Sequence, residues 1–304
     1  MDAYAPLIAA SINAGTPLML AALGLLINEK SGVVNLGAEG MMLVAAVIGF
    51  AVAVDSQSVA FGFAAGAAAG MLLAGFFALM TVWLGTNQYA TGLALSLFGG
   101  GASAYIGINY VGKSLDNPKF AVPFLSDIPF VGTALFRQHP MVYLSLLLCA
   151  GIIVFLYRTR AGLVLRAVGE SPSSAHALGY NVRRIRLAAL LCGGACCGLA
   201  GAFLSLVYTP LWVEGMVAGR GWIALALTTF ATWRPARVLI GAYLFGGVTI
   251  MTFHAQGLGV SIDSQLLSML PYLATILVLV LISTNANWIK LNMPASLGKN
   301  FNPN

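Results

Sequence analysis

The side chains able to do chemistry in this 304-residue chain are few and scattered. The most conspicuous pattern is Gly107-Ile-Asn-Tyr-Val-Gly112-Lys113-Ser114, which fits the GxxxxGK[ST] phosphate cradle. That pattern holds a nucleotide only between a strand and a helix whose N-terminus faces the phosphates. Here it follows an apolar run and leads into Leu-Asp-Asn-Pro, which is turn sequence, so it is not read as a nucleotide site. If ATP drives this protein, another chain hydrolyses it. His139, His176 and His254 stand alone, and neither HExxH nor GxSxG occurs. No apolar run carries two carboxylates, so a general acid/base pair within one is not expected. Cys149, Cys192, Cys196 and Cys197 lie in apolar sequence without partner ligands and read as small residues packing between helices. No catalytic group, cofactor or metal site is expected.

Two segments place charge where apolar sequence surrounds it. The first runs from Asn28-Glu29-Lys30 through Asn35-Leu36-Gly37-Ala38-Glu39-Gly40-Met41. Glu39 falls inside an apolar run, where an ionisable group costs several kcal/mol unless it faces protein or a water-filled path. Asn35, Gly37 and Gly40 would let a helix start irregularly there, which is tolerated against a cavity. Glu39 and Asn35 are therefore candidates either for a pathway or for a hydrogen bond tying helices together. The second segment is Val213-Glu214-Gly-Met-Val-Ala-Gly219-Arg220-Gly221-Trp222. Glu214 and Arg220 are candidates to pair with each other, or Arg220 to meet a polar ligand. Glu-Gly-Met recurs at 39–41 and 214–216, ahead of apolar runs that cross in opposite directions, the pattern of an inverted repeat.

The elements that must position these residues are set by composition. Hydrophobic residues make up 59% of the chain and charged residues 8%, against about 25% charged in an ordinary soluble domain. That balance excludes a soluble enzyme, a disordered chain and a nucleic-acid binder, because too little polar surface exists to cover a soluble fold. The expected fold is an all-α polytopic integral membrane protein, a single transmembrane domain over 1–304. A crossing needs about 20 apolar residues, and nine candidates follow: 6–27, 33–54, 59–84, 88–108, 141–157, 187–209, 215–232, 238–256 and 266–284. The count lies between eight and ten, since 215–232 could be broken or re-entrant.

Orientation follows from Lys and Arg between the spans. Lys30, the six arginines of 158–186, Arg234, Arg237, Lys290 and Lys299 are eleven of the fifteen basic residues, and nine spans put all of them on one side. The N-terminus is then outside and the C-terminus cytoplasmic, so the net charge of +6 reads as topology and requires no nucleic acid. The outer loop 109–140 is long enough to dock a partner. The inner loop 158–186 holds Ser171-Pro172, where a short helix starts, and Gly179, where it stops. The tail 285–304 is cytoplasmic.

These residues carry a resemblance. The run Glu29-Lys30-Ser31-Gly32-Val33-Val34-Asn35-Leu36-Gly37-Ala38-Glu39-Gly40-Met41-Met42, the loop from Arg160 to Gly179, and Gly219-Arg220-Gly221-Trp222-Ile223-Ala224-Leu225-Ala226 together resemble the permease subunit of ATP-binding-cassette importers. The group includes the ribose and branched-chain amino acid permeases, and the most similar branch is the simple-sugar/nucleoside permeases that work with a basic-membrane-protein-type binding lipoprotein. The resemblance implies a coupling helix that seats in a separate ATPase subunit, with Gly169, Glu170, Pro172, Ala175 and Gly179 at the matching positions. It implies a second, usually different, permease, a substrate-binding lipoprotein outside, and a place in the bacterial cytoplasmic membrane. The readings to be set against it are an ion-coupled secondary transporter of a small polar solute, and a permease of the same group for branched-chain amino acids.

Overall fold

The computed structural model describes residues 4–116, 120, 125–126, 128–257, 266, 269–274, 277, 280 and 292–302. Among them the regular structure is helical, with one isolated β-bridge between Ser114 and Leu211. The helices are α1 (Ala5–Lys30), α2 (Ala38–Ser56), α3 (Val59–Ala78), α4 (Gln88–Gly107), α5 (Val131–Leu135), α6 (Pro140–Arg158), α7 (Arg160–Glu170), α8 (Pro172–Ala177), α9 (Val182–Phe203), α10 (Arg220–Phe230) and α11 (Pro235–Gly257). α3 and α9 each run on through a π-helical turn, to Trp83 and Tyr208, and α4 ends in a 3-10 turn at Tyr110.

Seven helices among the described residues are long and apolar enough to cross a membrane: α1, α2, α3, α4, α6, α9 and α11, with the end turns counted. They match seven of the nine expected spans. α2 begins at Ala38 rather than 33, because Asn35 Oδ1 accepts from the Gly37 N–H (3.0 Å) and holds the preceding residues in an irregular turn. α9 begins at Val182 rather than 187, because Asn181 caps it, Oδ1 accepting from Arg184 N at 3.0 Å. The expected span 215–232 is a correction. Its helix, α10, has only 11 residues, about 16 Å at 1.5 Å per residue, against about 30 Å of hydrocarbon. Residues 214–219 ahead of it are turns, so the segment is a broken one. The expected span 266–284 lies partly outside the described residues, as does a small part of the loop 109–140, and Lys119 and Lys290 lie wholly outside them.

α1 is buried on every face from Ala14 to Lys30, so it is the central helix. α9, α10 and α11 pack around it, while α3 joins α2 and α9 in a second layer. With no hydrophobic drive between helices in lipid, small residues let backbones close up. Between α3 and α9 a Cβ on Gly198 would fall on the Gly66 carbonyl, and one on Gly194 on the Gly70 carbonyl. Cys149, Cys196 and Cys197 are buried free thiols, while Cys192 is exposed.

Three of the basic residues assigned to one side from sequence, Lys30, Arg186 and Lys299, meet at one end of the bundle. Lys30 Nζ donates to the Asn292 carbonyl (2.7 Å), and Arg186 donates to the carbonyls of Ser31 and Lys299 (3.2 Å each).

Candidate functional site

The two odd segments of the sequence come together in space. Glu39, in the first turn of α2, presents its carboxylate to the N-terminus of α10. The N–H of Gly219 donates to Oε1 (2.8 Å) and that of Gly221 to Oε2 (2.7 Å). The first N–H groups of a helix have no partner within it, and a carboxylate there also meets the positive end of the helix dipole. Both glycines are required by the geometry. Gly219 has φ +80, and a Cβ on Gly221 would sit 2.6 Å from the Glu39 Cα and N. Glu39 thus joins α2 to the broken segment through two charge-assisted bonds.

Arg220, between those glycines, turns the other way. Its Nη1 donates to the carbonyls of Met216 and Val217 (3.1 Å each), and its guanidinium lies 5.5 Å from the Tyr208 ring centroid. The pairing considered between Glu214 and Arg220 is not formed: Arg220 Nη1 donates instead to the turn that precedes its own helix. Glu214 lines a separate cavity of about 420 Å³ with Lys113, Ser114 and Trp212. The GxxxxGK[ST] residues therefore sit in a 3-10 turn and loop, with Gly107 pressed on the Trp212 indole and no strand-to-helix cradle. Nor do the two Glu-Gly-Met runs occupy equivalent places, since 39–41 lie inside a helix and 214–216 in turns.

The far end of α10 is held by a second carboxylate, which sequence reasoning did not single out. Thr228 Oγ1 donates to Glu29 Oε2 at 3.1 Å, and Trp233 Nε1 donates to the same oxygen. The turn that brings the indole there uses left-handed φ values at Thr232 (+48) and Trp233 (+52). Arg237 Nη1 donates to Thr232 Oγ1 (2.6 Å) and braces it. Glu29 is buried, and Asn28-Glu29 at the close of an apolar run was the one available signal.

A cavity of about 330 Å³ opens beside the N-terminus of α10. Arg220, Thr249 and Gln256 supply polar groups, while Phe245, Phe253 and Tyr272 supply rings. Phe245 and Tyr272 meet edge to face at 6.4 Å. Few convergent polar groups on an apolar wall is the usual make-up of a small-molecule site, and the N-terminus of a discontinuous helix is a recurring place for one. Asn35 does not reach it; it is fully buried in the turn before α2.

The inner loop folds as two helices. α7 ends at Glu170, and Ser171 caps α8, its Oγ accepting from Ser174 N at 3.3 Å, with Pro172 as first helical residue. Gly179 follows with φ +88 and open space around it. Ala175 is buried against Val168 and Val182, whereas His176, Leu178 and Tyr180 are exposed, Leu178 at 78%. Gly169 is buried where a Cβ would fall on the Lys30 carbonyl, and Glu170 Oε2 accepts from Ala295 N at 3.4 Å. The five residues form one ledge at the end of the bundle that also holds Lys30.

Comparison with known proteins adds the following. The family model described as branched-chain amino acid transport system / permease component matches residues 7–282. The "Putative glucose ABC transporter permease protein" of Haloferax volcanii is 40% identical, covering 99% of this chain and 99% of its own. The nucleoside ABC transporter permease protein of Lactococcus lactis is 31% identical over 88% of each chain. The guanosine ABC transporter permease protein NupQ of Bacillus subtilis is 30% identical over 90% of each. No solved structure matches the chain.

Proposed function

The chain belongs to the branched-chain amino acid transport system / permease component family, and from that premise we propose that it carries a simple sugar or a nucleoside inward across the cytoplasmic membrane. It is a multi-pass membrane protein and the permease subunit of an ATP-binding-cassette transporter, and ATP hydrolysis belongs to a separate subunit. The observation that carries the choice of solute is likeness along nearly the whole chain to permeases named for glucose, nucleosides and guanosine. The cavity beside α10 is consistent with it. Rings such as Phe245 and Tyr272 suit the flat face of a sugar or a base, and Thr249 and Gln256 suit its hydroxyls and amides.

In this reading residues 1–304 act as one permease domain, with the N-terminus outside and the C-terminus in the cytoplasm. An extracytoplasmic binding lipoprotein delivers solute to the outer loop 109–140, and a second, different permease completes the path. α8 is the coupling helix. Its exposed His176, with Leu178 and Tyr180 in the turn that follows it, seats in the ATPase, while Gly169, Glu170, Pro172, Ala175 and Gly179 shape the ledge beneath. Glu39 is proposed as a gating element through its hold on α10, with Asn35 shaping its turn and Arg220 contacting solute. Glu214 lies by the outer cavity, where the binding protein would arrive.

Cells that express the chain with its neighbouring transport genes test the solute class. Labelled glucose or guanosine is expected to accumulate, and labelled leucine, supplied in a parallel assay, is expected not to. Accumulation of leucine with neither glucose nor guanosine entering would reject the proposed solute.

A further inference from the structure

Residues 292–302 are held to the bundle at several separate points. Ser296 donates twice to the Gly169 carbonyl at the end of α7, from N (3.1 Å) and from Oγ (2.6 Å). Gly298 N donates to the Gly32 carbonyl (3.2 Å), and Lys30 Nζ donates to the Asn292 carbonyl (2.7 Å). Asn300 Nδ2 donates to the carbonyls of Gly85 (2.6 Å) and Thr86 (3.1 Å), and its Oδ1 accepts from Gln88 Nε2 (3.1 Å). Gln88 Oε1 in turn accepts from Val34 N at 2.9 Å. The tail therefore grips the end of α7, the α1–α2 junction and the α3–α4 turn at once.

Arg186 stands at the centre of this arrangement. It is 2% exposed, and its planar fork addresses three groups on two separate segments. Nε donates to the Ser31 carbonyl (3.2 Å), Nη1 to the Lys299 carbonyl (3.2 Å) and Nη2 to Ser296 Oγ (3.4 Å). Ser31 closes α1, so the guanidinium also meets the negative end of that helix dipole. The far end of the tail reaches α8 itself. Phe301 packs on the small cluster of Val168, Ala175 and Val182 under the coupling helix, with its ring edge to that of His176 at 5.6 Å.

We propose that residues 292–302 form a tie that fastens α7 and α8 to the α1–α2 junction, with Arg186 as its positioning residue, so that displacement of α8 reaches α2 and, through Glu39, the broken helix α10. The route is continuous: Phe301 and Ser296 on α8 and α7, Arg186 and Gly298 onto Ser31 and Gly32, then the turn into α2 and the Glu39 clamp on Gly219 and Gly221. The inference rests on the permease reading above. A tie that only stabilised the fold would change the amount of transporter; one that transmits motion sets how much solute moves for each ATP spent.

The test uses the whole transporter, the chain with its ATPase and binding protein, in proteoliposomes. Solute moved per ATP hydrolysed is measured together with amide hydrogen exchange over residues 160–178. In a chain ending at residue 291, the ATPase subunit is expected to remain bound and to hydrolyse ATP. Solute per ATP is expected to fall about tenfold, within the range of typical coupling energies, and exchange over 160–178 to rise. Arg186→Met is expected to behave alike and Arg186→Lys to restore part of the ratio. A wild-type ratio in the shortened chain overturns the tie. If the shortened chain fails to insert, Ser296→Ala and Phe301→Ala carry the test, and an unchanged ratio in both overturns it. Should the wild-type chain retain no ATPase, the permease reading itself fails, and the exchange measurement alone decides: unchanged protection over 160–178 in the shortened chain rejects the tie.

Discussion

Glu39 offers two oxygens to two backbone N–H groups, and its replacements separate shape from hydrogen bonding. Glu39→Gln keeps the shape, but its amide nitrogen cannot accept, so one N–H at the start of α10 is left unsatisfied in a partly buried place. That costs about 1–3 kcal/mol. Thermal melting of the purified protein is expected to show a lower midpoint for Glu39→Gln and a lower one still for Glu39→Ala. A wild-type midpoint with uptake abolished would instead place the carboxylate on the solute path. Gly221→Ala tests the same contact from the other side. Its methyl group would press on the Glu39 backbone, whereas Gly101 has nothing within 4 Å. Overpacking costs about 1–3 kcal/mol, so Gly221→Ala should destabilise and Gly101→Ala should not, again read by melting. His139 gives a pH dependence. Its Nδ1 accepts from Met141 N (3.2 Å) to cap α6, and burial pushes its pKa below the ordinary 6.5. A base with a lowered folded-state pKa binds its proton more readily when unfolded, so stability is full above about 6.5 and falls on acidification. His139→Gln should flatten that slope in melts from pH 5 to 8.

At the scale of elements, α10 is short, broken from what precedes it and held by a carboxylate at each end. Its polarity was legible in sequence, because Glu39 and Gly219-Arg220-Gly221 stand out against apolar surroundings. Their partnership was not legible, because it joins residues about 180 positions apart. Glu29 was harder still to find. Beside Lys30 at the end of an apolar run it reads as a loop charge, and its donors, Thr228 and the Trp233 indole brought in by the left-handed turn, come from about 200 positions away. α8, in contrast, was readable from its own residues, since the Ser171-Pro172 start and the Gly179 stop are local capping signals. The broken form of 215–232 was one of the alternatives left open, and the turns at 214–219 explain why it does not cross as one helix. The exposed turn that closes α8 yields an element-scale expectation. Leu178→Asp places a charge on a surface side chain with no part in the core, so membrane insertion is expected to be normal while the ATPase subunit no longer co-purifies. Retention of the ATPase in normal amounts would mean that it docks elsewhere.

For the whole molecule, scarcity of charge announced a membrane protein, and the positions of the basic residues anticipated which loops meet. Lys30, Arg186 and Lys299 do converge at one end. What the pattern could not convey was the tail. Its hold on the bundle uses backbone groups and short polar side chains, which leave no periodic trace in sequence. On the proposed function the chain is a conduit powered from outside itself, with solute passing by α10 and force entering at α8. Uptake of labelled glucose and guanosine into proteoliposomes, with the binding protein on one side and ATP supplied to the ATPase on the other, tests this most directly. Accumulation of one of them is expected to require ATP, to persist when proton and sodium gradients are collapsed, and to vanish in Leu178→Asp. Accumulation driven by an ion gradient with no ATP present would contradict the account.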